Sequence, residues 1–282
     1  MFTINRIFTG ITHIKDAMGV CLTLIEGTDR AVLFDTGYGM EDVGEFVRSL
    51  TGKPVKVYLS HSHHDHVLGA RWFDNTWICS EDVEEFHLRT GSIQRTKVAK
   101  QAIERRVALP DGFMEAKIPE PEKIIFPETN DIFENFTEDL GEIQISVIHV
   151  PGHTPGSIVI YVPTHDLLLT GDDWNPCTWM WFPTSLNAIE WRQNMISLIR
   201  SLEEEKGHAI QNVLCSHQPM IRKGTEIKAF LDYMTEERMK NAPAVDMGAT
   251  INTHRIAKEP EGWELVLILT RIICSESEKI TK

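Results

Sequence analysis

Ser60-His61-Ser62-His63-His64-Asp65-His66 is the stretch on which the reading of this chain turns. It follows Val55-Lys-Val-Tyr-Leu59, a β-branched and aromatic run that reads as a strand. His61 and His63 are two positions apart, so in extended backbone their side chains fall on one side. Asp65 and His66 follow at a turn. The imidazoles of His61, His63 and His66 and the carboxylate of Asp65 together exceed what a single four-coordinate ion with an open position requires. The pattern predicts two ions, with the remaining ligands at the ends of other strands.

Three positions meet that expectation. His153 lies in Val150-Pro-Gly-His-Thr-Pro-Gly156, directly after a predicted strand at 143–150. Asp172 lies in Leu169-Thr-Gly-Asp172, after a strand at 167–170, and His217 in Leu214-Cys-Ser-His217, after a strand at 210–216. Each is a ligand-type side chain where an apolar run stops. Glycines beside two of them let the backbone approach closely.

Working outward, residues 2–36 read as antiparallel strands, with Gly19–Ile25 and Ala31–Phe34 separated by the turn Glu-Gly-Thr-Asp. The second run ends in Asp35-Thr-Gly-Tyr-Gly39. A helix is predicted over 40–50, helical spacing over 81–109, and an irregular segment over 110–130. Beyond the strands at 143–150, 157–162 and 167–170 comes an amphipathic helix at 185–205. A second helix is predicted at 225–240 and a hairpin over 249–273, around Glu259-Pro-Glu-Gly262. Strands followed by helix and strand, twice over and without a linker, predict one α/β layered domain spanning 1–282.

The motifs at 61–66 and 151–156, the Gly171-Asp172 pair and His217 occur in that order, with Asp35 in Phe34-Asp-Thr-Gly37 ahead of them. In these residues the chain resembles the metallo-β-lactamase fold superfamily, over about 35–217. The resemblance implies a four-layer αββα sandwich. It also implies that His61, His63 and His153 bind one divalent ion and that Asp65, His66 and His217 bind another. Asp172 would bridge them, and Asp35 would hydrogen-bond a ligand imidazole and fix its tautomer. Zinc suits the ligand set, as do iron and manganese. Two such ions lower the pKa of a bridging water from 15.7 toward about 7, so a hydroxide can attack at neutral pH. Asp65 is the candidate for relaying the proton.

Departures within the resemblance narrow the substrate. Asp172 is a bridging carboxylate that the superfamily's true β-lactamases lack. Ser157 stands where glyoxalase II-like enzymes carry a histidine, and Trp174-Asn-Pro176 where lactonases carry a tyrosine. What remains is hydrolysis of a small ester, thioester or lactone. The alternatives are a phosphodiesterase-type hydrolase and a mononuclear iron sulfur dioxygenase using His61, His153 and Asp172. A third is a metal-stabilised binding protein without turnover. After Asp172 come Trp174, Trp179, Trp181 and Phe182. These rings read equally as an apolar substrate wall and as a cap on the core or a dimer contact.

Composition sets the outer bounds. The net charge of −13 disfavours nucleic acid as a partner. The N-terminus lacks a signal-peptide pattern, and no apolar run approaches the length of a membrane span. Cys21, Cys79, Cys177, Cys215 and Cys274 are scattered and free of CxxC pairs, which predicts reduced thiols in a cytoplasmic protein. The expected partner is a small molecule, with homo-oligomerisation left open. His13, His64, His87, His149, His165, His208 and His254 read as packing or surface residues, with His64 pointing away from the ions. Asp173 is left without a role.

Overall fold

Strands β1 (Thr3–Phe8), β2 (Ile11–Lys15), β3 (Cys21–Glu26) and β4 (Ala31–Phe34) pair in an antiparallel meander. The computed structural model describes residues 1–126, 135–248 and 252–269. In β3 and β4 nearly every side chain is buried, which requires cover on both faces of the sheet. Helix α1 (Val43–Leu50) supplies part of that cover, and the Asp42 carboxylate caps it by accepting from Glu45 N–H at 2.7 Å. Strand β5 (Val55–Tyr58) returns parallel to β4, as a strand-helix-strand crossover demands. Helix α2 (His64–Val67) follows, then β6 (Thr76–Cys79). The helical stretch expected over 81–109 breaks at Gly91 into α3 (Val83–Thr90) and α4 (Ser92–Glu104). Strand β7 (Glu122–Ile124) lies within the segment expected to be irregular and completes a seven-stranded sheet in the order β1 to β7. Residues 127–130 of that segment lie outside the described residues.

The second sheet begins with β8 (Asn135–Asp139), β9 (Gln144–His149), β10 (Ile158–Val162) and β11 (Leu167–Leu169). The chain then leaves it for β12 (Cys177–Met180) and α5 (Ala188–Lys206), and returns with β13 (Asn212–Leu214) and β14 (Arg222–Lys223). Asn187 caps α5 through its contact with Glu190 N–H, and Gly207 ends it in the left-handed conformation. The predicted helix at 225–240 is two helices, α6 (Gly224–Tyr233) and α7 (Glu236–Lys240), because Thr235 starts a new cap.

A third sheet was not expected. Strand β12 pairs parallel with β17 (Trp263–Leu267), which continues through β16 (Thr253–Lys258) to β15 (Ala244–Val245). The β16–β17 hairpin falls where the tail pattern predicts one. The end of that predicted tail, and Cys274, lie outside the described residues. The aromatic segment after Asp172 therefore contains a strand, and its burial alternates. Thr178 and Met180 are buried, while Cys177 and Trp179 are exposed.

The layers follow from where the apolar side chains go. Ile25, Val32 and Phe34 of the first sheet meet Val147, Ile160 and Leu169 of the second in one core. The other face of the first sheet buries Leu24, Leu33 and Val57 under Val47 of α1 and Phe86 of α3. The outer face of the second sheet buries Val159, Leu168 and Val213 under α5, α6 and the third sheet. This is the αββα sandwich. No helix among the described residues is long and apolar enough to cross a membrane.

The two sheets also touch at the edge away from the histidines. Thr28 N–H donates to Gly141 O at 2.8 Å and Asp29 N–H to Leu140 O at 3.0 Å. A Cβ on Gly27 would lie 2.2 Å from Leu140 O, inside backbone that cannot yield cheaply. Gly27→Ala should therefore destabilise the protein by about 1–3 kcal/mol, the usual cost of overpacking. Chemical denaturation checks this, and an unchanged midpoint would show that the turns separate freely.

Candidate metal centre

Strands β4 and β5 run parallel, and β9, β11 and β13 share one direction in the second sheet. Their C-terminal tips therefore meet along one edge of the sandwich. Ile158 N–H donates to Ser60 O at 2.8 Å and Cys21 N–H to Ser216 O at 2.7 Å, which join the sheets there. Gly171 has φ +56°, and a Cβ on it would lie 2.7 Å from the Ser60 Cβ. Only glycine lets these two loops approach so closely.

The seven candidate ligands converge in two groups, His61, His63 and His153, and Asp65, His66, Asp172 and His217. Within each group the donor atoms lie within 4.8 Å of one another. In the first, His63 Nδ1 faces His153 Nε2 at 2.9 Å, and His61 is fully packed beside them. In the second, Asp172 Oδ2 lies 3.0 Å from His217 Nε2 and 3.4 Å from His66 Nε2. The same oxygen is 3.8 Å from His153 Nε2, so Asp172 stands between the groups. Asp65 Oδ2 is 3.6 Å from His66 Nε2 and 3.7 Å from His217 Nε2.

Three of the imidazoles, those of His61, His66 and His153, are held from behind. Asp35 accepts from Ser60 N–H at 2.7 Å, from Ser60 Oγ at 2.8 Å and from His66 Nδ1 at 2.8 Å. Ser60 Oγ in turn lies 2.9 Å from His61 Nδ1. His153 Nδ1 donates to Trp179 O at 2.8 Å. These contacts put the ring protons on the outer nitrogens and turn Nε2 of His61, His66 and His153 inward. Among the described residues, the buried atoms His61 Nε2, His66 Nε2 and Asp172 Oδ1 find no hydrogen-bond partner. Buried polar atoms are rarely left so, and a bound cation would satisfy them. The donor set, nitrogen and carboxylate oxygen, fits divalent transition ions.

The two groups differ electrostatically. Burial, and then the neighbouring imidazoles, push His61 and His63 well below the usual histidine range, and burial lowers His153 too. These rings are neutral. Burial also opposes charge on His66 and His217, but Asp172 and the other nearby carboxylates outweigh it and raise both. Burial likewise opposes charge on Asp172, yet His217 and His66 hold it well below the usual carboxylate range. Without metal, the second group is a set of imidazolium and carboxylate, with His66 and Asp172 buried.

Two positioning residues carried no sequence signal. Asp82, buried, accepts from Ser62 N–H at 2.7 Å, Thr154 Oγ1 at 2.8 Å and Gly156 N–H at 2.7 Å. It ties the loop of His61 and His63 to the loop of His153. Asp173, also buried, accepts from His153 N–H at 2.8 Å. Burial raises its pKa well above the usual range. Its neighbourhood to Asp172 in sequence gave no reason to separate the two.

A cavity of about 550 Å³ opens over the cluster, and His217, with its side chain 36% exposed, forms part of its wall. Trp179, Trp181 and Phe182 line it. Trp174 does not. It is fully buried and packs edge-on to Phe230 at 6.1 Å between centroids, so it belongs to the core under the second sheet. The strand β12 explains the difference, since it sends the rings after Pro176 toward the cavity while Trp174 precedes it. His64 lines the cavity as well, edge-on to Tyr38, and stands outside both donor groups. Tyr38, on the loop after β4, is a further lining residue that sequence reasoning passed over.

Residues 20–172 match the Metallo-beta-lactamase superfamily, and that stretch runs from β3 to the bridging aspartate. The chain belongs to this superfamily. A relative is the human acyl-coenzyme A thioesterase MBLAC2, 22% identical over 173 residues, which are 54% of this chain and 60% of that protein. The chain thus spans less than two thirds of the length of the curated relative it matches. Among solved structures, the inverting sec-alkylsulfatase Pisa1 from Pseudomonas sp. aligns with a TM-score of 0.60 at 16% identity, over 82% of this chain and 40% of that one. A metallo-beta-lactamase from Pontibacter korlensis aligns with a TM-score of 0.52 at 18% identity, over 82% of this chain and 98% of that one. At such identities the structures establish the superfamily fold and nothing finer.

Two outcomes follow from the geometry. Cation binding should release protons from His66 and His217, so affinity should fall as pH falls. Calorimetry in two buffers of different ionisation enthalpy reads this directly, and identical enthalpies would contradict it. Asp82→Ala should weaken metal binding by about 10–100-fold, the range for loss of a group that orients a ligand. Competition with a chromogenic chelator measures it.

Proposed function

We propose that the protein is a metal-dependent hydrolase of a small carbonyl ester, with thioesters the first choice over oxygen esters and lactones. The observation that carries this reading is the complete set of seven donors at the floor of an open, aromatic-walled cavity. We also read the chain as one domain, since the third sheet shares its core with α5 and the second sheet.

In this reading His61, His63 and His153 hold one ion, Asp65, His66 and His217 hold the other, and Asp172 bridges. Zinc is the first candidate, with iron or manganese as alternatives. Bound there, the ions would polarise the substrate carbonyl and make a nucleophile available from water near neutral pH. The protein's own groups do the rest. Asp65 is held in its charged form by His66, His64 and His217 against the opposing effect of burial, so it can take a proton from the attacking water. It can then return that proton to the leaving thiolate or alkoxide. Tyr38, whose phenol burial and the charge of Asp65 keep protonated, can donate a hydrogen bond in the cavity. Trp179, Trp181 and Phe182 bind an acyl chain and exclude water from it. The thioester preference is supported by the name of the human relative. A single-iron centre on His61, His153 and Asp172 would leave Asp65, His66 and His217 without a purpose.

The metal-loaded protein should turn over medium-chain acyl thioesters, lose that activity to a chelator and regain it on reloading. Trp179→Ala and Trp181→Ala should raise KM for a decanoyl thioester about tenfold and change an acetyl thioester much less, given the free energy of burying apolar surface. Steady-state kinetics across chain lengths is the check. An equal rise at every length would remove the acyl-wall role, and inactivity against all thioesters, esters and lactones would remove the hydrolase reading.

A further inference from the structure

The cavity has a second wall, and it is cationic. Arg89 from α3, with Gln101 from α4 and Arg105 at its end, lines the same space as the aromatic rings. Gln101 and Arg105 are four apart, so they share one face of that helix. In a chain of net charge −13, two guanidinium groups beside the candidate metal centre run against the general trend.

The two arginines are not equivalent. Arg89 places both Nε and Nη2 on Glu85 Oε1 at 2.6 Å, and that carboxylate neutralises it. Arg105 donates from Nη1 to the Met18 carbonyl at 2.8 Å. No carboxylate pairs with it among the described residues, and it is exposed. Its field reaches the cavity floor, where it acts on Tyr38. A guanidinium anchored by one nitrogen keeps further donors for a ligand, and its planar fork suits carboxylate or phosphate oxygens.

We infer that this cleft selects an anionic amphiphile, with the acyl part on Trp179, Trp181 and Phe182 and the anionic group on Arg105. This inference rests on the hydrolase reading and names the substrate class for it. The anion belongs either to the thiol that leaves or to the far end of the acyl chain. Both sources offer the same oxygens to the guanidinium. The bland role for Arg105, fastening the end of α4 to the loop at 16–20, predicts no dependence on substrate charge.

Three matched thioesters separate these cases on the full-length, metal-loaded protein. S-decanoyl-pantetheine is neutral, S-decanoyl-4′-phosphopantetheine carries a phosphate on the leaving group, and the mono-pantetheine thioester of decanedioic acid carries a carboxylate on the acyl end. At least one anionic substrate should exceed the neutral one in kcat/KM by about tenfold, the scale of one charge-assisted hydrogen bond. Arg105→Ala should remove that advantage, Arg105→Lys should restore much of it, and added salt should erode it. Whichever anionic arm gains identifies the source. Equal rates for charged and neutral substrates, or an advantage that survives Arg105→Ala, overturn the inference. If none of the three is turned over, the hydrolase reading fails, and quenching of tryptophan fluorescence by decyl phosphate decides the rest. Binding weakened by Arg105→Ala and recovered by Arg105→Lys sustains the anionic cleft without hydrolysis. Binding indifferent to both variants refutes it.

Discussion

The carboxylate of Asp35 is the point on which the centre depends. It sits at the tip of β4 with φ +68°, a left-handed conformation that aspartate tolerates better than most residues. From there it gathers Ser60 N–H, Ser60 Oγ, His66 Nδ1 and Ser216 Oγ. Those donors come from the tip of β5, from α2 and from the tip of β13, so one buried anion joins the loops of both sheets. A buried carboxylate is costly unless its oxygens are satisfied. Satisfying this one forces the loops into a single arrangement. The same bonds orient His66 directly and His61 through Ser60, so the constraint that closes the fold also aims the imidazoles.

Asp82 and Asp173 repeat the device on the other side of the cluster. Between them they hold the backbone at Ser62, His153 and Gly156. The Trp179 carbonyl completes the set by fixing the His153 tautomer. Strand β12 thus has two tasks. Its backbone orients a candidate ligand, and the ring of Trp179 lines the cavity above it. Cavity wall and candidate ligand cluster are mechanically connected through one residue.

The superfamily fold leaves the substrate open, because the sandwich positions the strand tips whatever lines the space above them. In this chain that space is lined by aromatic rings from and after β12 and by Arg89 and Arg105 from α3 and the end of α4. Both are contributed by segments outside the two central sheets. Trp179 belongs to both lining and cluster, since its ring lines the cavity and its carbonyl orients His153.

The motif at 61–66, the strand-end positions of His153, Asp172 and His217, and the alternation of strands and helices were legible in the sequence. Each depends on local spacing or on an abrupt end to an apolar run, and local geometry is set by adjacent residues. Trp174 and β12 were not legible. Where the rings of this segment go depends on the course set by β12, and that strand pairs with β17, more than eighty residues away. Asp82 and Asp173 likewise look like ordinary polar residues in the sequence. Their roles are decided by burial and by partners brought close only when both sheets pack, since hydrogen-bond and charge partners are selected by distance in space and not by separation along the chain.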